Sequence, residues 1–436
     1  MTYQGVDYVD VLAWGQWVGR LATDPGSGFC SFAYTPQWIA TGIELAPLRM
    51  PLRAEPYQFP ELAVETFLRL PALFADALPD RFGNALVDAW MAEQGIDRRD
   101  ITALDRLAYA GDRTMGALTF APPRGPVDVE PSVVQVADLV QAARRTFAAD
   151  ASTPEGLGDA LRQLIRVGTS AGGARAKAVI LYNRATGQVR SGHAPHEPGF
   201  EDYLLKLDGV SSVGLDGHGS DLGATSPYGR IELAYFLMAR DADLTMEHCE
   251  LLPEGPRAHF LTRRFDRGPR GERHHVVTLC ALAHLDFNQP GAHSYDQYFD
   301  AVRELGLDGE ALVQAYRRMV FNVAAVNRDD HTKNLSFRLP YGGRWELAPA
   351  YDVTYAHSSS GRWTQRHQML VNGKTEDITL ADLHAVGDRN DVPGYRRVVR
   401  EVLGAVSRWP EHAQAAGLPA DDVARIAADL DRFRPR

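Results

Sequence analysis

The sequence predicts a mixed α/β (α+β) fold in two lobes, a β-rich N-terminal half followed by a helical C-terminal half. Three observations carry this. Residues 5–45 read as short β-branched and aromatic runs separated by turn residues. From about residue 275 onward the apolar spacing is mostly helical. The 436 residues are 45% hydrophobic and 23% charged, an ordinary globular mix with ample material for a core and for two or three domains.

In order, "YVDVLAWG", "WVGRLAT" and "GFCSFAYT" predict a small β-meander closed by the "GQ" and "DPGSG" turns. Residues 60–121 shift to helical periodicity, interrupted by prolines and by the glycines of "AGDRTMGALTF". The Pro-rich "APPRGPVDVEP" has no periodicity and reads as a linker, which sets a first domain at 1–122. A helix at about 133–149 precedes "LIRVGTSAGGARAKAVILY", a strand, a Gly-rich turn and a strand. "YLLKLDG" is a further strand, "YGRIELAYFLMARDADL" an amphipathic helix and "AHFLTRRFDR" a strand, giving a second domain at 132–268. The third, 269–436, takes its helices from "YDQYFDAVRELG", "ALVQAYRRMVFNVAAV" and "VPGYRRVVREVLGAVSRW".

Several function classes drop out. Cys30, Cys249 and Cys280 are isolated, and neither a CxxC pair nor an HExxH motif occurs, so zinc sites and disulfide frameworks are disfavoured and a cytoplasmic location is expected. The N-terminal stretch lacks the features of a secretory signal, and no run approaches the roughly 18 apolar residues that span a bilayer. The formal net charge of −10 argues against a chain that grips nucleic acid over its whole surface, so a DNA role is expected to go through a partner.

The chemistry concentrates in "NRDDHTKN", Asn327 to Asn334. Leu312, Tyr316, Met319, Val320 and Val323 share a helical face, so a buried helix delivers this polar knot at its C-terminal end. A hairpin, "LSFRL" to "RWELAPAYD", then leads to Asp352. Arg328, Asp329 and Asn334 give R-D-x-x-x-x-N, the spacing of a kinase catalytic loop with Asn327 in place of its first His. Asp329 would deprotonate a hydroxyl, Asn334 and Asp352 would hold magnesium, and His331 and Lys333 would offer positive or donor groups. Taken alone, such a loop reads equally well as a solvated helix cap. The Gly-rich "GTSAGGARAK" ends in Lys177 and would admit phosphate oxygens to its backbone N–H groups, although it matches neither standard phosphate-loop pattern and is otherwise a tight turn. Lys206 sits on an apolar strand, where a buried ammonium calls for an anion such as a nucleotide phosphate, unless it snorkels from an edge. Glu232 on the following helix would pair with it or face water.

With these pieces in order, the chain resembles the HipA family, the serine/threonine kinase toxins of bacterial toxin–antitoxin modules. "VGRLATDPGSGFCSFAYTPQWI", "LPDRFGN" and "LAYAGDRTMGAL" look like that family's N-terminal subdomain. "GGARAKAVI", "YLLKL", "TRRFDR", "NRDDHTKN" and "LAPAYD" look like its kinase core in the same order. The resemblance implies a HipA-like, protein-kinase-like fold using ATP and Mg²⁺. It makes Asp329 the catalytic aspartate, Lys206 the ATP-phosphate lysine, and Asn334 and Asp352 the Mg²⁺ ligands. Gly172, Gly173, Ala174, Arg175, Ala176 and Lys177 become the phosphate loop, and Arg263, Arg264 and Phe265 the hinge strand beside the adenine. His331, Thr332, Lys333, Asn334 and Tyr351 complete the nucleotide site, and Ser170 falls at an autophosphorylation position that would eject the loop.

The implied substrate class is aminoacyl-tRNA synthetases or other translation proteins, and the implied partner a HipB-like helix-turn-helix antitoxin. The sequence departs from the family pattern at Arg263, where an acidic residue is usual, and in "HHVVTLCALAHLDF", which lacks an acidic-Cys-Gln run. Two other readings stay open: a catalytically weak co-repressor joining an antitoxin on operator DNA, and a small-molecule kinase.

Overall fold

The computed structural model describes residues 5–79, 81–126, 136–141, 175–211, 227–358 and 363–430. The chain divides into two compact units, one drawn from 1–45, 50–226 and 252–275, the other from 46–49, 227–251 and 276–436. No helix among the described residues is long and apolar enough to cross a membrane.

The first unit contains the expected meander, β1 (Tyr8–Ala13), β2 (Gln16–Thr23) and β3 (Cys30–Tyr34). Alternation in β1 turns Val9, Val11 and Ala13 fully inward and leaves Tyr8 exposed. Trp14 and Gly15, both at positive φ, make the two-residue turn whose twist suits a hairpin. Gly19 on β2 has a packing reason, because a Cβ there would stand 2.2 Å from the carbonyl oxygen of Ala33 on β3. The sequence reading stopped at three strands. A fourth, β4 (Leu118–Ala121), returns from the helical stretch to pair antiparallel with β1, giving the order β3-β2-β1-β4. Partners about a hundred residues apart leave no local signal. The helix Ala103–Ala110 between them carries a full capping box, Thr102 with Asp105.

The same unit holds a five-stranded sheet ordered β6-β5-β7-β9-β8, from β5 (Arg175–Asn183), β6 (Gln188–Ser191), β7 (Glu201–Ser211), β8 (Cys249–Glu254) and β9 (Arg257–Arg263). Ala176, Ala178 and Ile180 of β5, Tyr203, Leu205 and Leu207 of β7 and Leu261 of β9 form one apolar core with Leu86, Leu139 and Val140. Residues 136–141 are helical; the rest of the helix expected at 133–149 lies outside the described residues.

The second unit is mainly helical. Its centre is the helix Gly309–Ala324, N-capped by Asp308 and flanked by the helices Tyr295–Glu304 and Tyr395–Ser407. The expected apolar face is buried, and so are Val313, Ala315, Arg317, Arg318, Phe321 and Asn322. The helix therefore lies inside the unit, and its two arginines find partners there: Arg317 meets Glu401 at 2.9 Å and the Ala242 carbonyl at 2.7 Å, and Arg318 donates to Ala348. β10 (His275–Thr278), β12 (Ser336–Leu339) and β13 (Glu346–Leu347) form a three-stranded sheet that includes the expected hairpin. β11 (His293–Ser294) and β14 (Met369–Leu370) pair in parallel.

Candidate active site

The chain leaves the central helix through Val326, whose φ is +52°. A β-branched residue there costs roughly 1–2 kcal/mol. Two hydrogen bonds hold it: the Ala356 N–H donates to the Val326 carbonyl, and the Arg328 N–H donates to the Ala356 carbonyl, each at 3.2 Å. The loop is thereby stitched to the segment that follows Asp352. Asp352 also has a positive φ, 51°. Non-glycine residues in this region cluster at functional sites, where surrounding structure enforces them.

The two adjacent aspartates have opposite surroundings. The Asp330 side chain is fully buried and accepts from Tyr295 Oη at 3.0 Å and from the main-chain N–H of Gln368 at 2.8 Å, with His367 Nδ1 at 3.0 Å. A hydrogen-bonded chain reaches it from the helix, Asn327 to Asn322 to Tyr295. Asp330 is saturated and structural. The Asp329 side chain is 44% exposed, and both of its neighbours, Gln368 Nε2 at 2.9 Å and His331 Nε2 at 3.7 Å, face Oδ1. Of the two carboxylates, Asp329 is the one placed to meet a substrate.

Around it, Asn334 Nδ2 donates to the Asp329 main-chain carbonyl at 2.8 Å, which fixes the amide with its oxygen as the remaining group. Tyr351 Oη donates to the Lys333 carbonyl at 2.8 Å and so anchors the short 3₁₀ turn Thr332–Asn334. Thr332 is buried, and its hydroxyl is given to the Leu285 carbonyl. Lys333 Nζ lies over the Phe287 ring. Burial pushes His331 below the ordinary imidazole range, against the pull of Asp329 and Asp352. At neutral pH it is an uncharged donor or acceptor, not a cation.

In the first unit, β5 and β7 align Lys177 directly opposite Lys206, and Phe260 of β9 lies opposite Lys206 in turn. These residues occupy the face away from the Ala176–Leu205–Leu261 core, yet Lys177 and Lys206 are only 4% and 8% exposed. Lys206 Nζ sits 5.6 Å from the centre of the Phe260 ring. Ala176, with its side chain in the core, only supports the strand. Gly172, Gly173, Ala174 and Ser170 lie outside the described residues, and Arg175 is placed at the start of β5.

Arg263 is half exposed and reaches Glu201 at 3.4 Å. Arg264 is partly buried, its guanidinium forked onto Asp266 at 2.8 and 2.6 Å and its N–H given to the Asp202 carbonyl, while Phe265 is buried. Arg264 is thus part of the unit's internal framework. Glu232, expected to pair with Lys206 or to face water, is buried.

Residues 169–434 match the HipA-like C-terminal domain, and residues 9–121 match the HipA N-terminal domain. The chain belongs to the HipA family. Its enzyme class is serine/threonine kinase. Among solved structures, HipA of Shewanella oneidensis MR-1, determined with HipB and its operator DNA, is 17% identical over 98% of this chain and 97% of that one, with a TM-score of 0.68, which establishes the HipA fold. The proinflammatory kinase CtkA of Helicobacter pylori is 12% identical over 60% of this chain and 89% of that one, with a TM-score of 0.37. No curated protein sequence matches the chain.

A kinase family implies ATP. The donor sets fit it: two buried lysines side by side suit a polyphosphate, and the Asn334 amide oxygen and Asp352 carboxylate are the hard oxygen ligands magnesium takes. Among the described residues no cluster of three or more His, Cys, Asp or Glu side chains is arranged to hold a metal. Magnesium carried in by phosphates needs only one or two carboxylates. The sequence reading missed Gln368, His367 and Tyr295, which brace the two aspartates from distant segments without any motif of their own.

Proposed function

We propose that this HipA-family kinase uses Mg-ATP to phosphorylate serine or threonine on a translation protein, such as an aminoacyl-tRNA synthetase, in the cytoplasm, as the toxin of a two-gene module. The observation that carries the catalytic assignment is the division of labour between a buried, saturated Asp330 and a half-exposed Asp329. ATP supplies the transferable phosphoryl group, and magnesium offsets its charge. Asp329 receives the acceptor hydroxyl's proton, Asn334 and Asp352 hold the metal, and Lys177 and Lys206 hold the phosphates. The domains serving this would be 1–122, a nucleotide lobe at 132–268 and a catalytic lobe at 269–436.

The partner in this reading is a HipB-like helix-turn-helix antitoxin. Support comes from the Shewanella oneidensis relative, which was crystallised with HipB and operator DNA. A net charge of −10 favours DNA contact through that basic partner. Self-inhibition through Ser170 follows from its place before the Gly-rich loop, where a phosphate carrying about −1.5 to −2 charges would compete for the loop's donors.

The test is incubation of the chain with labelled ATP and synthetase preparations, with mass spectrometry of both. Label on a synthetase serine and phosphate on Ser170 support the reading. Label on a small metabolite alone, or none with wild-type protein, contradicts it.

A further inference from the structure

We propose that Gln368 is a positioning residue that sets the rotamer of Asp329, an inference that rests on Asp329 being the catalytic base. Three contacts place Gln368. Its main-chain N–H donates to Asp330 Oδ1 at 2.8 Å, its carbonyl accepts from the Gly291 N–H at 2.7 Å, and its Nε2 donates to Asp329 Oδ1 at 2.9 Å. The residue is 4% exposed, and the next two residues form β14, paired with β11. Its backbone is therefore fixed at both ends before the side chain reaches the aspartate. The amide cannot drift, and neither can the carboxylate it holds.

The direction of that bond matters. A carboxamide nitrogen donates, so the bond holds one carboxylate oxygen and sets the side chain's orientation through it. Gln368 and His331 both address Oδ1, so Oδ2 is the oxygen that takes the proton as the substrate O–H bond breaks. Gln368 Oε1 is buried and has no hydrogen-bond partner among the described residues. Gln368 follows Asp352 in the chain, so one segment runs from the metal-binding position back to the base. A change in that segment would misalign Asp329 without touching ATP.

The experiment compares Gln368→Met, which keeps the length and loses the donor, and Gln368→Asn, which keeps an amide one methylene short, with Asp329→Asn and the double variant Gln368→Met/Asp329→Asn. The acceptor is a degenerate serine-centred peptide mixture. Expected are a fall in kcat of roughly 10²-fold in both Gln368 variants, as for a catalytic group moved by about 1 Å, an ATP KM within about twofold of wild type, and no further loss when Gln368→Met is added to Asp329→Asn. Wild-type kcat in Gln368→Met beside an inactive Asp329→Asn overturns the positioning role and leaves the base in place. Full activity in Asp329→Asn overturns the base itself. A parallel loss of ATP binding in both Gln368 variants assigns the residue to packing alone and also overturns the proposal.

Discussion

Lys177 and Lys206 stand directly opposite one another on β5 and β7, both almost fully buried on the face away from the core. A bound polyanion offsets both charges at once, and charge-assisted hydrogen bonds of this kind contribute about 1.5–3 kcal/mol each. Lys206→Met is therefore expected to weaken ATP binding roughly 10- to 100-fold. Calorimetric titration with ATP checks this. Unchanged affinity would remove the lysine pair from the nucleotide site.

Asp330 is expected to behave as a structural residue. Asp330→Ala strands the Tyr295 hydroxyl and the Gln368 N–H and removes the partner of His367, and each unsatisfied buried group costs about 1–3 kcal/mol. Denaturant unfolding should show a loss of several kcal/mol, whereas Asp329→Ala, at a 44% exposed side chain, removes the partner of the Gln368 amide alone and should cost about 1 kcal/mol.

Asp352 and Asp329 should separate by ligand. Asp352→Ala is expected to weaken Mg-ATP binding, with less effect on ATP alone, because it removes a metal ligand. Asp329→Ala is expected to leave Mg-ATP affinity near wild type and lower turnover. Fluorescence titrations with and without magnesium distinguish the two; equal magnesium dependence in wild type and Asp352→Ala would contradict the ligand assignment.

A second buried carboxylate gives a pH prediction. Asp266 is fully buried between Arg264 at 2.6 Å and Arg267 at 2.7 Å and accepts from the Gly116 N–H. Burial alone would raise its pKa; the two guanidiniums overcome this and hold it well below the usual carboxylate range. Its folded pKa lies under the unfolded value of about 3.9, so its stabilisation is complete above that pH and is lost as pH falls toward the folded value. Asp266→Asn is expected to cost about 3–5 kcal/mol at neutral pH by leaving buried arginines uncompensated. The gap between variant and wild-type melting curves should narrow below about pH 4. A pH-independent gap would contradict the ion-pair origin.

The parts of the fold legible in the sequence were those with local causes. The meander announced itself through alternation and turns, and the central helix through its apolar face. The candidate site was proposed from motifs whose spacing carries chemistry, at Asp329, Asn334 and Asp352. Long-range pairing was not legible: β4 finds β1 across the helical stretch, and Gln368 finds Asp329 from beyond the hairpin. The depth of burial was also hidden: nothing local marks Arg317 and Arg318 as buried, and their partners, Glu401 and two backbone carbonyls, come from distant segments. The side-chain partner of Arg264, Asp266, was likewise unmarked in the sequence.

The most direct measurement is single-turnover transfer of labelled phosphate from saturating Mg-ATP to a serine acceptor by wild type, Asp329→Ala and Asp330→Glu. The expected result is transfer by wild type, a drop of at least roughly 10³-fold in Asp329→Ala with ATP still bound, and losses in Asp330→Glu that follow its loss of folded protein. Transfer by Asp329→Ala at the wild-type rate would contradict the assignment of this carboxylate as the catalytic base.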